Sequence, residues 1–294
     1  VEPLHVPVLL EPALQALAVR PGGSYVDGTL GPGGHARAIL ERSAPDGRVL
    51  GLDRDEEALL EARRTLAAYG ARVRFEHADF RRIPELVAPE SADGVLLDLG
   101  VSSLQLGSPE RGFSFRSEGP LDMRMDRSQR ETAADVVNRS SERALADLIY
   151  ALGEEPSARR VARAIVEARR AKPIRTTGEL AEIVRRAVRH VRPGLDPATR
   201  TFQALRIHVN RELAGLREAL LEIAACLRPG GRLVVIAFHS LEDREVKHAF
   251  RELGRRGFRE LRRKPLRPDP QEQQRNPRAR SARLRALSRE APAA

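Results

Sequence analysis

Cysteine is almost missing from this chain of 294 residues, with Cys226 its only example. No intrachain disulfide and no cysteine-based metal cluster can form. Cys226 lies in the apolar stretch Ala224-Ala-Cys-Leu227, read as the interior of a helix, which suits a small core residue and not an activated nucleophile. Tryptophan is absent, and tyrosine and lysine occur three times each. The tyrosine-lysine pairing of a nicotinamide-dependent reductase is not found among so few. No Gly-x-Ser-x-Gly elbow is present, which disfavours a serine hydrolase. The seven histidines, His77, His190 and His208 among them, show no paired ligand spacing, so no metal is required. No apolar run approaches the roughly 18 residues of a membrane helix. The first residues, including Glu2, His5 and Glu11, lack a signal-peptide layout, so a cytoplasmic location is expected.

What is present in excess is arginine, and it is unevenly placed. The net charge is +10, and residues 251–294 hold fourteen Arg or Lys against five Asp or Glu, a net of +9. An arginine-rich genome explains arginine everywhere, but not its gathering at one end. The segment therefore reads as a basic tail suited to nucleic-acid phosphates, with an acidic protein partner as the less favoured reading.

At 41% apolar the chain can bury a large core. Residues 22–105 alternate strand and helix. The first strand runs through Tyr25-Val-Asp27 into the glycine turn Gly28-Thr-Leu-Gly31-Pro-Gly33-Gly34-His35, and a helix follows. In a doubly wound sheet such a turn borders the ligand crevice, where glycine lets backbone approach a cofactor. This turn alone fits either a dinucleotide or another adenosine-containing cofactor. A second strand ends at Asp53, placed for two ribose hydroxyls. A third leads to Asp79-Phe80, an acid for an adenine amino group beside an aromatic for the purine face. A fourth delivers Asp98-Leu-Gly100. The four turns together favour an S-adenosylmethionine site over a dehydrogenase.

The rhythm then breaks. From Leu106 to Arg200 helices dominate, including Ser141–Leu152, Ser157–Ala171 and one opened by the capping box Thr176-Thr-Gly-Glu179 and reaching about Val191. This reads as a helical domain, residues 106–200, inserted between methyltransferase-like parts 1–105 and 201–294, and available as a substrate wall. Its entry carries Phe113 and Phe115 among arginines, open to base stacking or to burial. The strand-helix rhythm resumes with a helix ending at Arg228-Pro-Gly-Gly231 and a strand from Arg232 to Phe238. His239 and Ser240 follow as acceptor-contact candidates, with Ser240-Leu-Glu-Asp243 as a helix cap.

The assembled motifs resemble the MraW, or RsmH, family of bacterial 16S ribosomal RNA cytidine N4-methyltransferases. They are His5-Val-Pro-Val-Leu-Leu10, Asp27 to His35, Leu97-Asp-Leu-Gly-Val-Ser-Ser103, Leu121-Asp-Met-Arg-Met-Asp126, Thr201 to Arg206, Phe238 to Arg244 and Asn276 to Ser281. The resemblance implies a Rossmann-like class I S-adenosylmethionine-dependent methyltransferase fold with an inserted all-helical domain. It implies S-adenosylmethionine contacts at Gly33, Gly34, His35, Asp53, Phe80, Asp98 and Gln105, to which the turns add Asp27 and Asp79. It also implies 16S ribosomal RNA within the small subunit as partner and a decoding-region cytidine as acceptor. Direct transfer to the exocyclic amine needs alignment and an acceptor for the surplus proton, with no covalent enzyme intermediate. Asp98 is the candidate nearest by motif to receive that proton, but many amino-methyltransferases place Pro-Pro and an aromatic after the acid, where this chain has Asp98-Leu-Gly100-Val101; Asp98 is therefore expected chiefly as a cofactor residue, with a catalytic or acceptor-contacting role beside His239 and Ser240 as the second expectation.

Overall fold

A computed structural model describes residues 7–188 and 194–291. His5, His190 and Val191 fall outside them. The chain divides into two compact units, one drawn from Val1–Gly100 and Leu213–Ala294, the other from Val101–Glu212.

The first unit is built on seven strands: β1 Ser24–Asp27, β2 Arg48–Asp53, β3 Val73–His77, β4 Ala92–Asp98, β5 Leu227–Ala237, β6 Phe258–Glu260 and β7 Arg283–Arg289. Their order is β3-β2-β1-β4-β5-β7-β6. The first five are parallel, and β7 lies antiparallel between β5 and β6. The central strands are covered on both faces, so they are apolar at nearly every position. Successive side chains still divide between two cores. Val95, Leu97, Leu233 and Val235 enter one, with Leu220, Ile223, Val246 and Phe250 from helices Leu216–Ala225 and Ser240–Leu253. Leu96, Val234 and Ile236 enter the other, with Leu14, Ile39 and Leu59 from helices Leu10–Leu17, Gly34–Arg42 and Glu56–Thr65. The fold is a doubly wound α/β sheet.

The expectation of a basic tail over residues 251–294 is corrected for its last part, residues 283–289. Residues 283–289 form a sheet strand covered on both faces: Leu284 and Ala286 enter one core, Leu287 enters the other, and Arg285 is buried beside it. Arg285 and Arg283 pair with Asp243 at 2.7 and 3.1 Å, while Arg289 bonds the Leu227 carbonyl at 2.7 Å and pairs with Glu90. Burial alone would raise the Asp243 carboxyl, but the two arginines hold it below the usual carboxylate range. Removing one partner of a buried pair leaves an uncompensated charge. Asp243→Ala is therefore expected to cost about 3 kcal/mol in urea unfolding, whereas Arg283→Ala, which leaves Arg285 paired, should cost much less. The strand expected from Arg232 already begins at Leu227, with an irregular register between Ala92 and Gly94. Cys226 caps the preceding helix instead of lying within it and is 3% exposed.

The second unit runs wider than residues 106–200, because helix Thr199–Val209 supplies Phe202, Leu205 and Val209 to its core. The helix after Thr176 ends at Ala187. Phe113 joins that core and Phe115 packs edge-on against Phe202 at 4.8 Å. Phe113 is thus core rather than a stacking platform. The Leu121–Asp126 motif is a folding knot. Arg124 grips Asp122 at 2.8 Å, Met123 and Met125 are buried, and the Asn210 amide bonds the Met125 N–H and the Met123 carbonyl, each at 2.7 Å. Among the described residues no helix is long and apolar enough to cross a membrane.

Candidate active site

Strand order reverses between β1 and β4, and in open α/β sheets the crevice outside the carboxyl ends at such a switch point is where ligands bind. Asp27 is the last residue of β1 and Asp98 the last of β4. The sequence thus puts two carboxylates on either side of the crevice, and neither has a full set of partners. Asp27 Oδ1 accepts the Thr29 N–H at 3.2 Å, while Oδ2 is buried with no hydrogen-bond partner. Asp98 is fixed by its backbone, whose N–H donates to Thr29 Oγ1 at 2.6 Å, and its Oδ1 is likewise buried and unpartnered. Burial, opposed by the Thr29 bond and then reinforced by the Asp53 charge, pushes Asp27 up to about 7. Burial, then Asp27, then Glu242, push Asp98 well above its ordinary value.

The glycine turn lies beside this pair. Gly31 and Gly33 have φ of +52° and +89°, the left-handed region that favours glycine. Gly33 opens helix Gly34–Arg42 with no side-chain cap. Gly34 has a packing role, since a Cβ there would lie 2.5 Å from Pro7 Cγ. His35 is buried; its Nε2 lies 3.1 Å from the Val8 carbonyl, which directs Nδ1 towards Asp98 Oδ2 at 3.7 Å. Asp53, at the end of β2, accepts the Gly31 and Asp55 N–H groups at 2.8 and 2.9 Å, which counteract the upward push of burial on its carboxyl. Each oxygen retains acceptor capacity.

At the end of β3, Asp79 caps the short turn Phe80–Arg82 and pairs with Arg81 at 2.8 Å and Arg54 at 3.5 Å. Phe80 is 7% exposed and has the Arg81 guanidinium 4.7 Å from its ring centre. Its Cβ would meet a side chain at Gly28 at 3.0 Å, so Phe80 borders the same turn. Gln105 falls in the second unit, where it forms a capping box with Ser102.

Beyond β5 the cap expected from Ser240 to Asp243 is shifted by one residue. His239 is extended and is the N-cap; its Nδ1 accepts the Glu242 N–H at 3.3 Å, and Glu242 Oε2 accepts the Phe238 N–H at 2.8 Å. Ser240 is the first helical residue. Because Nδ1 is an acceptor, the neutral ring carries its hydrogen on Nε2, which is buried, lies 3.2 Å from Glu242 Oε1 and makes no hydrogen bond. His239 is therefore set to donate. Sequence reasoning gave no role to Glu242 or Thr29. The i, i+3 spacing of His239 and Glu242 was the available signal for the first.

The sheet order, its antiparallel seventh strand and the acid-lined switch point define a class I methyltransferase. The sequence pattern of the MraW methylase family matches residues 2–290, and the chain belongs to that family. It is 50% identical over 307 residues to "Ribosomal RNA small subunit methyltransferase H" of Syntrophobacter fumaroxidans, spanning 97% of this chain and 96% of that protein. The protein of the same name from Acidobacterium capsulatum is 52% identical over 295 residues, spanning 97% and 98%.

Proposed function

We propose that this methyltransferase transfers a methyl group from S-adenosylmethionine to the exocyclic N4 of a cytidine in the decoding region of 16S ribosomal RNA, within the small subunit. The observation that carries the reading is the pair of buried, unpartnered oxygens, Asp27 Oδ2 and Asp98 Oδ1, at the switch point. A cationic donor and an amine acceptor both bring hydrogens or positive charge to such atoms. Family membership and the names of the relatives supply the RNA and its subunit; the N4 position comes from the sequence resemblance.

The residues fit the donor. Asp53 keeps acceptor capacity for ribose hydroxyls, the Gly31–Gly34 turn leaves room where a side chain would intrude, and Asp27 offers a carboxylate to an ammonium. Asp79 and Phe80 would border the adenine, and Gln105 is assigned to the donor by resemblance alone. When bound, the donor supplies an electrophilic methyl on a sulfonium.

The chain's own task is to hold the amine in line and take its proton. Cytosine N4 is a weak nucleophile because its lone pair is delocalised into the ring, so an acceptor on its hydrogens helps. His239 cannot serve, since Nδ1 is occupied and Nε2 carries a hydrogen. It suits a donor to the base carbonyl or ring nitrogen, with Ser240 beside it. Asp98 Oδ1 is the acceptor in this scheme, its affinity for a proton raised by burial and then by its acidic neighbours Asp27 and Glu242. Cys226 is excluded as a nucleophile, because burial pushes its thiol up and its Sγ lies against the Val87 carbonyl at 3.7 Å.

Radiolabelled methyl transfer to small subunits lacking the modification, followed by nucleoside analysis, tests the reading. The expected product is N4-methylcytidine, and label in any other nucleoside would sink the acceptor assignment. Asp53→Ala should weaken equilibrium binding of S-adenosylmethionine about tenfold or more, as loss of a buried charged acceptor does. Unchanged binding would remove Asp53 from the donor site.

A further inference from the structure

With β7 folded into the sheet, the question is which of the clustered positive charges remain free. Arg283, Arg285 and Arg289 are held by Asp243 and Glu90. Arg262, Arg263, Lys264 and Arg267 are all exposed and form no ion pair among the described residues. The first three lie on a segment fastened at both ends. The Leu261 N–H donates to the Ala286 carbonyl at 2.9 Å, and Leu266 exchanges two bonds of 2.9 Å with Leu284. The basic residues 262–264 and Pro265 bulge out between these two anchor points.

Sheet register says where that bulge stands. Leu266 bridges Leu284, Leu284 pairs with Ile236, and Ile236 pairs with Asp98. One row thus runs from the acid proposed to take the proton to the end of the bulge. With strands about 4.8 Å apart, three steps put Leu266, the anchor that ends the bulge, roughly 14 Å from Asp98, on the edge of the same sheet. It stands about two strand spacings, roughly 10 Å, from the end of β5, where His239 and Ser240 begin their helix. The nearest acids in sequence, Glu260 and Asp269, lie outside the pinned segment, and Asp269 is engaged in capping helix Pro270–Arg275.

From this we infer that the Arg262-Arg263-Lys264 bulge is a phosphate-docking rail that grips the RNA backbone flanking the acceptor nucleotide. The inference rests on the RNA reading of the site and deepens it. Arginine and lysine presented side by side, without ion-pair partners among the described residues and on a bulge that ends at the reacting row, match a run of phosphodiesters. The rail carries no base information; it fixes the register in which a nucleotide enters the crevice. An edge strand also gains protection against pairing with other chains from exposed cations, which is a rival explanation for the same residues.

The test is the triple variant Arg262→Ala/Arg263→Ala/Lys264→Ala in the full chain. Binding to a fluorescein-labelled transcript of the decoding region is measured from 50 to 200 mM salt, beside methyl transfer to small subunits by the wild type. Each lost phosphate contact removes about 0.7 to 0.9 from the slope of log affinity against log salt. The variant is expected to lose roughly 2 from that slope and at least tenfold in affinity at low salt, with S-adenosylmethionine binding unchanged. Arg262→Lys/Arg263→Lys should keep the slope. An unaltered slope in the triple variant overturns the inference. If that variant aggregates with RNA affinity intact, edge protection is the role; if it loses only retention on polyglutamate, an acidic protein is the partner. Wild type that binds neither transcript nor subunit overturns the rail together with the RNA reading. Wild type that methylates beside an unaltered variant overturns the rail alone.

Discussion

Asp98→Asn is expected to lower turnover by roughly 10²- to 10⁴-fold at saturating donor and RNA, the usual range for removing a positioned proton acceptor. The substitution keeps the shape of the side chain and leaves the backbone bond to Thr29 Oγ1 in place. What it removes is an oxygen able to take a proton, at a position where Asp98 Oδ1 has no other partner. The pH profile separates this role from donor binding. Only ionised Asp98 can accept, so wild-type turnover rises with pH through the raised ionisation of Asp98, and the variant's residual rate lacks that limb. Unchanged turnover with a weaker donor affinity would reduce Asp98 to a cofactor contact. Glu242→Gln supplies a second check. Its carboxylate charge is one of the causes raising Asp98, so its removal should shift the rising limb towards lower pH.

The parallel strands, and the acids that end β1, β2 and β4, were legible because a strand buried on both faces must be continuously apolar, and the residue ending it is free to be polar. Asp27, Asp53 and Asp98 stand out in sequence for that reason. β7 was not legible. Its sequence Arg283-Leu-Arg285-Ala-Leu-Ser-Arg289 puts arginines where an edge-region strand meets Asp243 and Glu90, and those partners are some 40 and 199 residues away in sequence. Local charge counting therefore assigned the three arginines of β7 to a nucleic-acid-binding tail when they are internal ion-pair partners. The cap beyond β5 was misplaced by one residue because serine is the commoner N-cap, whereas the chain is still extended at His239. That slip hid Glu242, a buried acid whose importance comes from facing His239 and Asp98 rather than from a recognisable motif. The Leu121–Asp126 motif teaches the opposite lesson. It is among the most recognisable stretches of the chain, yet its side chains serve the second unit's own core and knot.

Asp27→Asn is expected to stabilise the free protein while weakening its hold on the donor. Asp27 is 1% exposed, with one oxygen unpartnered, and its ionisation is pushed up to about 7 from an ordinary 3.8. Between those values the unfolded chain has released a proton that the folded chain still binds, so stability falls as pH rises through this window. Below about pH 4 the residue is protonated in both states and costs nothing. Above about pH 7 the accumulated cost is on the order of 4 kcal/mol, at 1.36 kcal/mol per unit. Asparagine cannot ionise, so the variant should unfold at higher urea than wild type at pH 8, and the difference should vanish near pH 4. Equal stability at both values would show that the Asp27 carboxylate is relieved in the free protein by groups other than the Thr29 N–H. A charge kept at such expense needs a compensating ligand, and an ammonium group between Asp27 and its neighbours would provide it. Donor binding should accordingly narrow the gap at pH 8, because S-adenosylmethionine stabilises the wild type more than Asp27→Asn.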